Sequence, residues 1–202
     1  MPQKNLLLVF TRNPELGKVK KRLAADIGDA SALRLYKFLL QHTFEVVKKL
    51  SVEKWVCYSE EIPQQDLWDK GDFQKKVQQG KGLGERMENS FFEAFEEGYE
   101  KVVIIGSDLY DLQEEDLKKA FLALDTCDYV IGPASDGGYY LFGMKSLNSQ
   151  VFRNKNWGTA TVLQDTLQDL KNEKLTMLDV RNDIDTLHDL EAHPELRQII
   201  EP

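Results

Sequence analysis

Only two cysteines, Cys57 and Cys127, occur in the 202 residues, far apart and with no CxxC or Cys/His grouping beside either. That excludes a disulfide framework and a cysteine-based zinc site. Each is expected to be a small buried or half-buried hydrophobe of a protein kept in a reducing compartment. Histidine is as sparse. His42 falls on the apolar stripe of a helical pattern, as a satisfied core residue would, and His188 and His193 lack partners at zincin spacing. Long apolar runs are missing too: Leu6 to Phe10 is five residues, too short for a signal core or a membrane span, so the cytoplasm is the expected address. Cations are fewer than anions, 26 Lys plus Arg against 34 Asp plus Glu, for a formal net charge of −8. A nucleic-acid partner needs a basic face, so the balance argues against a polymer, though not against a single nucleotide. Neither GxxxxGK[ST], GxGxxG nor GxSxG is found, which removes Walker-type, dinucleotide-binding and nucleophile-elbow sites.

What is present is an alternation of strand-like and helix-like periods. Strands are expected at 5–10, 54–58, 101–106, 128–132, 139–144 and 175–180, and helices at 31–50, 84–98, 113–124, 159–172 and 187–201. Ser31 is a plausible cap for the first helix, with lysines at its other end. Strands separated by helices read as βαβ units around a mostly parallel sheet. The adjacent segments 128–132 and 139–144, joined by PASDGG, allow a hairpin or an antiparallel strand inside a mixed sheet. The polar stretch 59–82 lacks the bias of a linker, and no repeat divides the chain, so one domain over 1–202 is expected.

Ligands of open α/β sheets bind at the carboxyl ends of the strands, where the unusual residues of this chain lie. After the first strand, Gly17 precedes Lys18, Lys20, Lys21 and Arg22, a loop glycine followed by charge that suits a polyphosphate or, alternatively, a solvated surface. After VVIIG come Ser107, Asp108, Leu109, Tyr110 and Asp111. A carboxylate at the tip of a buried strand calls for a partner, and a divalent ion bridging to phosphate is one. Asp108 is the leading metal ligand; Asp111 better suits the cap of the next helix. Asp136, Gly137 and Gly138 suit a type I′ turn or a site loop. Asp183 and Asp185 are expected to split, one facing the site and the other capping the last helix. The glycines at 82 and 84 either let backbone approach a base or simply open a helix.

In order, the chain reads GKVKKRL, GLGERM, GSDLYDL, GPASDGGYYLFG, NWGTATVL and NDIDTLHDL. This set resembles, over about residues 5–190, the bacterial selenodomain-associated or arsenosugar-biosynthesis type glycosyltransferases of the GT-A, nucleotide-diphospho-sugar transferase superfamily. More distantly it is similar to molybdenum-cofactor and 2-phospholactate guanylyltransferases. The usual first loop, GxxKTRL, has Lys21 in place of Thr, and the usual GSDxPxL lacks its proline, with Tyr110 present instead. The resemblance implies a three-layer α/β/α sandwich with a mostly parallel mixed sheet. It implies a nucleotide site from Phe10, Thr11, Gly17, Lys20, Arg22, Leu83, Gly84, Ser107 and Asp108, and an acceptor side from Asp136, Gly137, Gly138, Tyr139 and Trp157. A divalent ion, Mg²⁺ or Mn²⁺, would sit on Asp108 with Asp185, ranked ahead of Asp183.

The expected activity is glycosyl transfer from a nucleotide-activated donor to a small acceptor, with Lys20, Arg22 and the ion stabilising the leaving diphosphate and Asp136 as base. Nucleotidyl transfer that releases pyrophosphate is the alternative, and a non-catalytic nucleotide-binding protein the third reading. The number of subunits carries no sequence signal.

Overall fold

Asn5 to Thr11 (NLLLVFT) forms the central strand β1 in a computed structural model that describes residues 4–200. Side chains alternate across a strand, so Leu6 and Leu8 enter one core and Leu7 and Val9 the other, all fully buried. Burial on both faces explains why the run is continuously apolar rather than alternating.

The other strands are β2 (Glu53–Tyr58), β3 (Gln74–Val77), β4 (Lys101–Gly106), β5 (Tyr129–Pro133), β6 (Tyr139–Met144) and β7 (Leu175–Met177). All seven belong to one sheet in the order β3-β2-β1-β4-β6-β5-β7. Only β6 runs antiparallel to its neighbours, β4 and β5. The expected hairpin from PASDGG is therefore what makes the sheet mixed. Helices α1 (Lys21–Ile27), α2 (Asp29–Val47), α3 (Leu83–Glu96), α4 (Glu114–Ala123), α5 (Val162–Asp169), α6 (Leu187–Glu191) and α7 (Arg197–Ile200) complete the chain. α2 and α4 join the core containing Leu7 and Val9, and α3 joins the one containing Leu6 and Leu8, which gives the three-layer α/β/α sandwich.

Several expectations need correction. β3 lies in the polar stretch 59–82, where the sequence predicts no strand, because its pattern QKKV has no apolar alternation and its lysines find carboxylates instead: Lys75 pairs with Asp66 and Asp69, and Lys76 with Glu93 and Glu97. Ser31 does not cap α2, which starts at Asp29 after Gly28; its hydroxyl donates to the Ile200 carbonyl. α2 ends at Val47, so no basic residue falls in its last turn. The caps of α4 and α6 are also reassigned. Gln113 and Asp116 form a capping box on α4 in place of Asp111, and Thr186 with Asp189 does the same on α6 in place of Asp183 or Asp185. Strand β7 stops at Met177, and the helix expected over 187–201 is broken around Pro194, whose ring cannot continue a helix interior; residue 201 lies outside the described residues. Cys57 is buried and Cys127 half-buried, both free, and His42 Nε2 is satisfied by the Leu112 carbonyl at 3.0 Å. No described helix is long and apolar enough to cross a membrane.

Candidate active site

Parallel pairing of β1 with β4 sets Phe10 opposite Gly106, so both strands end together and hand Thr11 and Ser107 to one place. Ser107 Oγ and Thr11 Oγ1 are 3.2 Å apart. Above them the buried Tyr36 hydroxyl, from the middle of α2, accepts from the Arg12 N–H at 2.8 Å and lies 3.2 Å from both Thr11 Oγ1 and Ser107 Oγ. One residue further, the half-buried Asp108 carries its carboxylate beyond the strand end.

The loop after β1 returns over this point. Gly17 has φ 74°, a left-handed conformation natural to glycine, but Lys20 also has a positive φ, 46°, which a side-chain-bearing residue adopts at a cost. The surroundings fix that conformation. Lys20 Nζ lies 2.7 Å from Asp108 Oδ2 and 2.9 Å from Asp185 Oδ1, with its side chain only 2% exposed. Burial works against the ammonium, but Asp108 and Asp185 outweigh it and hold Lys20 protonated well above the usual lysine range. Arg22 also pairs with Asp185. Burial disfavours the Asp185 carboxylate, yet Lys20 and Arg22 reverse the balance and keep its pKa below normal.

Asp183 behaves oppositely. Burial, and then the negative charges of Asp185, Asp108 and Asp136, push its pKa from 3.8 up to about 6. The expected split of the aspartate pair fails, since residues two apart on an extended chain share a face. Both carboxylates reach the site, on either side of Asp108.

Three adjoining cavities share Asp108. A cationic one of about 230 Å³ is lined by Arg12, Lys18, Lys20, Lys21 and Arg22 with Asp185. A mixed polar one of about 420 Å³ lies over Phe10, Thr11 and Ser107, with Gln78, Lys81 and Arg86 on its far wall. Gln78 donates to the Cys57 carbonyl at 2.8 Å, and Arg86 Nε to the Gly80 carbonyl at 3.0 Å, so α3 and the end of β3 are stitched to this wall. The third, about 250 Å³, is walled by Phe10, Leu83, Met87, Tyr139 and Trp157, with Asp136 and Asp183 at its polar edge. Asp136 Oδ1 accepts from the Gly138 N–H at 2.9 Å, so it both closes the hairpin turn and faces a cavity. Gly137 has φ 88° and lies against Ala160, where a Cβ would meet the carbonyl oxygen at 2.3 Å. Gly84 has a packing reason of its own: a Cβ there would lie 2.4 Å from Trp157 Nε1 and 2.5 Å from the Phe152 carbonyl oxygen.

The structure thus gathers Phe10, Thr11, Lys20, Arg22, Leu83, Ser107, Asp108, Asp136, Gly138, Tyr139, Trp157, Asp183 and Asp185 around these cavities. Gly17 and Gly137 shape the loops, and Gly84 the packing beneath. Sequence reasoning missed Arg12, Tyr36, Gln78 and Arg86. For a divalent ion the donor set is mixed. Among the described residues, no group of three or more His, Cys, Asp or Glu side chains is already gathered as a metal site, and Lys20 occupies Asp108 and Asp185. Asp108 and Asp183 nonetheless line one cavity, and carboxylate oxygens are the hard donors a divalent ion takes.

Residues 41–159 match DUF2064, a family of uncharacterized proteins conserved in bacteria. No curated protein matches the sequence. A structure from Desulfovibrio desulfuricans, provisionally named a nucleotide-diphospho-sugar transferase, is 36% identical, covers 94% of this chain and 86% of its own, and superposes with a TM-score of 0.85. Two others share the fold at low identity. The 4-diphosphocytidyl-2C-methyl-D-erythritol synthase of Anaerococcus prevotii is 12% identical, with a TM-score of 0.62 over 97% of this chain and 96% of its own. A Leptospira borgpetersenii cytidylyltransferase is 15% identical, with a TM-score of 0.57 over 94% and 84%. These likenesses agree with the superfamily level of the resemblance read from the motifs.

Proposed function

The chain belongs to the bacterial DUF2064 family, and we propose that it is a metal-assisted transferase that moves a sugar from a nucleotide-activated donor to a small acceptor. The observation that carries the reading is the junction at Asp108 of a polar cavity, a cationic cavity and an aromatic cavity. The polar and cationic cavities suit the nucleoside and the diphosphate of a nucleotide sugar, and the aromatic cavity, with Asp136 at its edge, would receive the acceptor beside the transferred group.

On this reading Arg12, Lys18, Lys20, Lys21 and Arg22 bind the diphosphate and stabilise its charge as it leaves, an effect strongest where water is excluded. In the free protein Lys20 is held by Asp108 and Asp185, and the diphosphate competes for it. Asp108 and Asp183 would hold a divalent ion, Mg²⁺ or Mn²⁺, which supplies further positive charge against the diphosphate. Asp185, engaged by Lys20 and Arg22, positions those cations, so its rank against Asp183 as a ligand is reversed. The acceptor hydroxyl oxygen bonds to the anomeric carbon while the bond from that carbon to the phosphate oxygen breaks. The bonding pair leaves with the nucleoside diphosphate, and Asp136 takes the hydroxyl proton.

One feature favours a second reading. Five cations around one cavity suit pyrophosphate leaving a nucleoside triphosphate, the chemistry of nucleotidyl transfer. A thermal-shift screen of nucleotide sugars and nucleoside triphosphates with Mn²⁺ tests the proposal, because a ligand of the native state raises the midpoint. Binding strengthened by Mn²⁺ in the wild type, and not in Asp108→Ala, is the expected result; equal strengthening in both would sink the metal assignment. Product analysis on a hit then decides the class: nucleoside diphosphate for glycosyl transfer, pyrophosphate for nucleotidyl transfer.

A further inference from the structure

The aromatic cavity differs from its two neighbours in carrying no cation. None of its lining residues is Lys, Arg or His, and its charged members are Asp108, Asp136 and Asp183. Of the cations near it in the chain, Arg181 pairs with Asp116 at 2.8 Å and Lys155 with Asp169 at 2.5 Å, while Lys81 and Arg86 line the polar cavity instead. Lys20 is tied on the opposite side of Asp108, between that residue and Asp185. Phe10, Leu83, Met87, Tyr139 and Trp157 supply the remaining surface, with Tyr139 and Trp157 set edge to face at 6.3 Å.

We infer that this cavity takes an acceptor with an apolar or aromatic face and an uncharged or cationic polar end, and that it rejects phosphate esters and carboxylates. The inference rests on the donor reading above for which end of the site receives the acceptor. The selectivity follows from charge: an anion moved into a partly apolar space needs a cation or several donors, and here it would meet carboxylates. A divalent ion on Asp108 and Asp183 offsets two of the three negative charges and leaves that of Asp136, so the cavity stays negative when the site is loaded. This sets the chain apart from any transferase whose acceptor is a phosphate.

The test follows the Trp157 indole N–H by nitrogen-15 NMR in the full chain, with the signal identified by its loss in Trp157→Phe. Four probes share a phenyl body: 2-phenylethanol, phenethylamine, phenylacetate and phenyl phosphate. Pyrophosphate is present throughout, to occupy the cationic cavity. The alcohol and the amine should shift the Trp157 signal saturably, and the two anions about tenfold more weakly. Asp136→Asn, which retains an acceptor for the Gly138 N–H, should narrow that ratio. Anions that bind as well as the alcohol would overturn the inference, and so would silence from all four probes. Pyrophosphate added alone reports on the donor reading by itself, through signals of the loop that carries Lys20. Its failure to bind would remove that reading, while the probe selectivity at Trp157 would still be measured.

Discussion

Both edges of the sheet bury lysines, and they settle the charge differently. At the amino-terminal edge Lys101 opens β4 and pairs with Asp125, just after α4, and Lys54 donates to the carbonyls of Leu50 and Val52 at 3.0 and 2.8 Å. Those arrangements are closed: one cation meets one carboxylate or two carbonyls. At the carboxyl edge Lys20 bridges two carboxylates distant in sequence, from a left-handed backbone, and a third carboxylate, Asp183, makes no ion pair among the described residues. A closed pair serves the fold. An edge with a surplus of carboxylate, held together by a strained lysine, is disposed to exchange partners when a polyanion and a cation arrive together, which is the behaviour expected of a functional site.

The most direct way to break the comparison is to remove each lysine in turn. Lys20→Met should weaken nucleoside diphosphate binding roughly 10- to 100-fold, the worth of one or two charge-assisted hydrogen bonds. Lys101→Met should leave that affinity unchanged and cost about 1 kcal/mol of stability, since Asp125 is nearly half exposed and can turn to water. Calorimetric titration with the diphosphate that scores best in the screen, beside denaturant melts of both variants, reads the two effects separately. If Lys20→Met bound as well as the wild type, the two edges would be equivalent and the distinction would collapse.

The same difference explains what could be read from the sequence. Strands β1, β4 and β6 and helices α2 and α3 were legible because each must bury a face, and burial leaves a period in the chain. Lys20, Arg22, Asp108, Asp183 and Asp185 could be singled out because they stand in the loops after strands, where an open sheet binds ligands, and Ser107 entered through the family resemblance. β3 was not legible: Lys75 and Lys76 satisfy their charge through neighbours that no local pattern reveals. Losing β3 lost Gln78 and with it the wall shared with Arg86. Tyr36 stands mid-helix among leucines, where an aromatic reads as core; only its hydroxyl, meeting two strand ends, tells otherwise. α1 was hidden because Leu23 is its one buried residue and no side chain caps it.

Asp183→Asn sharpens the comparison in the opposite sense, by stabilising the protein. A carboxyl whose folded pKa is raised binds its proton more tightly in the native than in the unfolded state, so native stability falls as pH rises from about 4 to about 6 and stays lowered above that. At pH 7 the asparagine variant, which has no proton to lose, should therefore be more stable than the wild type by about 2 kcal/mol, and the gap should close toward pH 4. Mn²⁺ should no longer strengthen nucleotide binding in the variant. Melts at pH 4 and pH 7 check the first statement and titrations with and without Mn²⁺ the second; a variant less stable at pH 7 would show that Asp183 is one more closed structural charge.

Tyr36→Phe has the smallest expected effect and probes how the carboxyl edge is held in register. The hydroxyl ties α2 to the end of β1 through Thr11 and Arg12 and to the end of β4 through Ser107. Phenylalanine keeps the ring, so packing is preserved, while the part-buried Arg12 N–H and the Thr11 and Ser107 hydroxyls lose one partner, at a cost of about 1 kcal/mol. Because Arg12 and Ser107 belong to the nucleotide side while Asp136 and Trp157 lie beyond Asp108, the loss should appear as a higher KM for the donor with kcat and acceptor KM nearly unchanged. A purely structural tyrosine would lower the melting midpoint and leave that ratio alone. A fall in kcat at constant donor KM would instead mean that the hydroxyl acts on the far side of Asp108, where nothing in its hydrogen bonding places it.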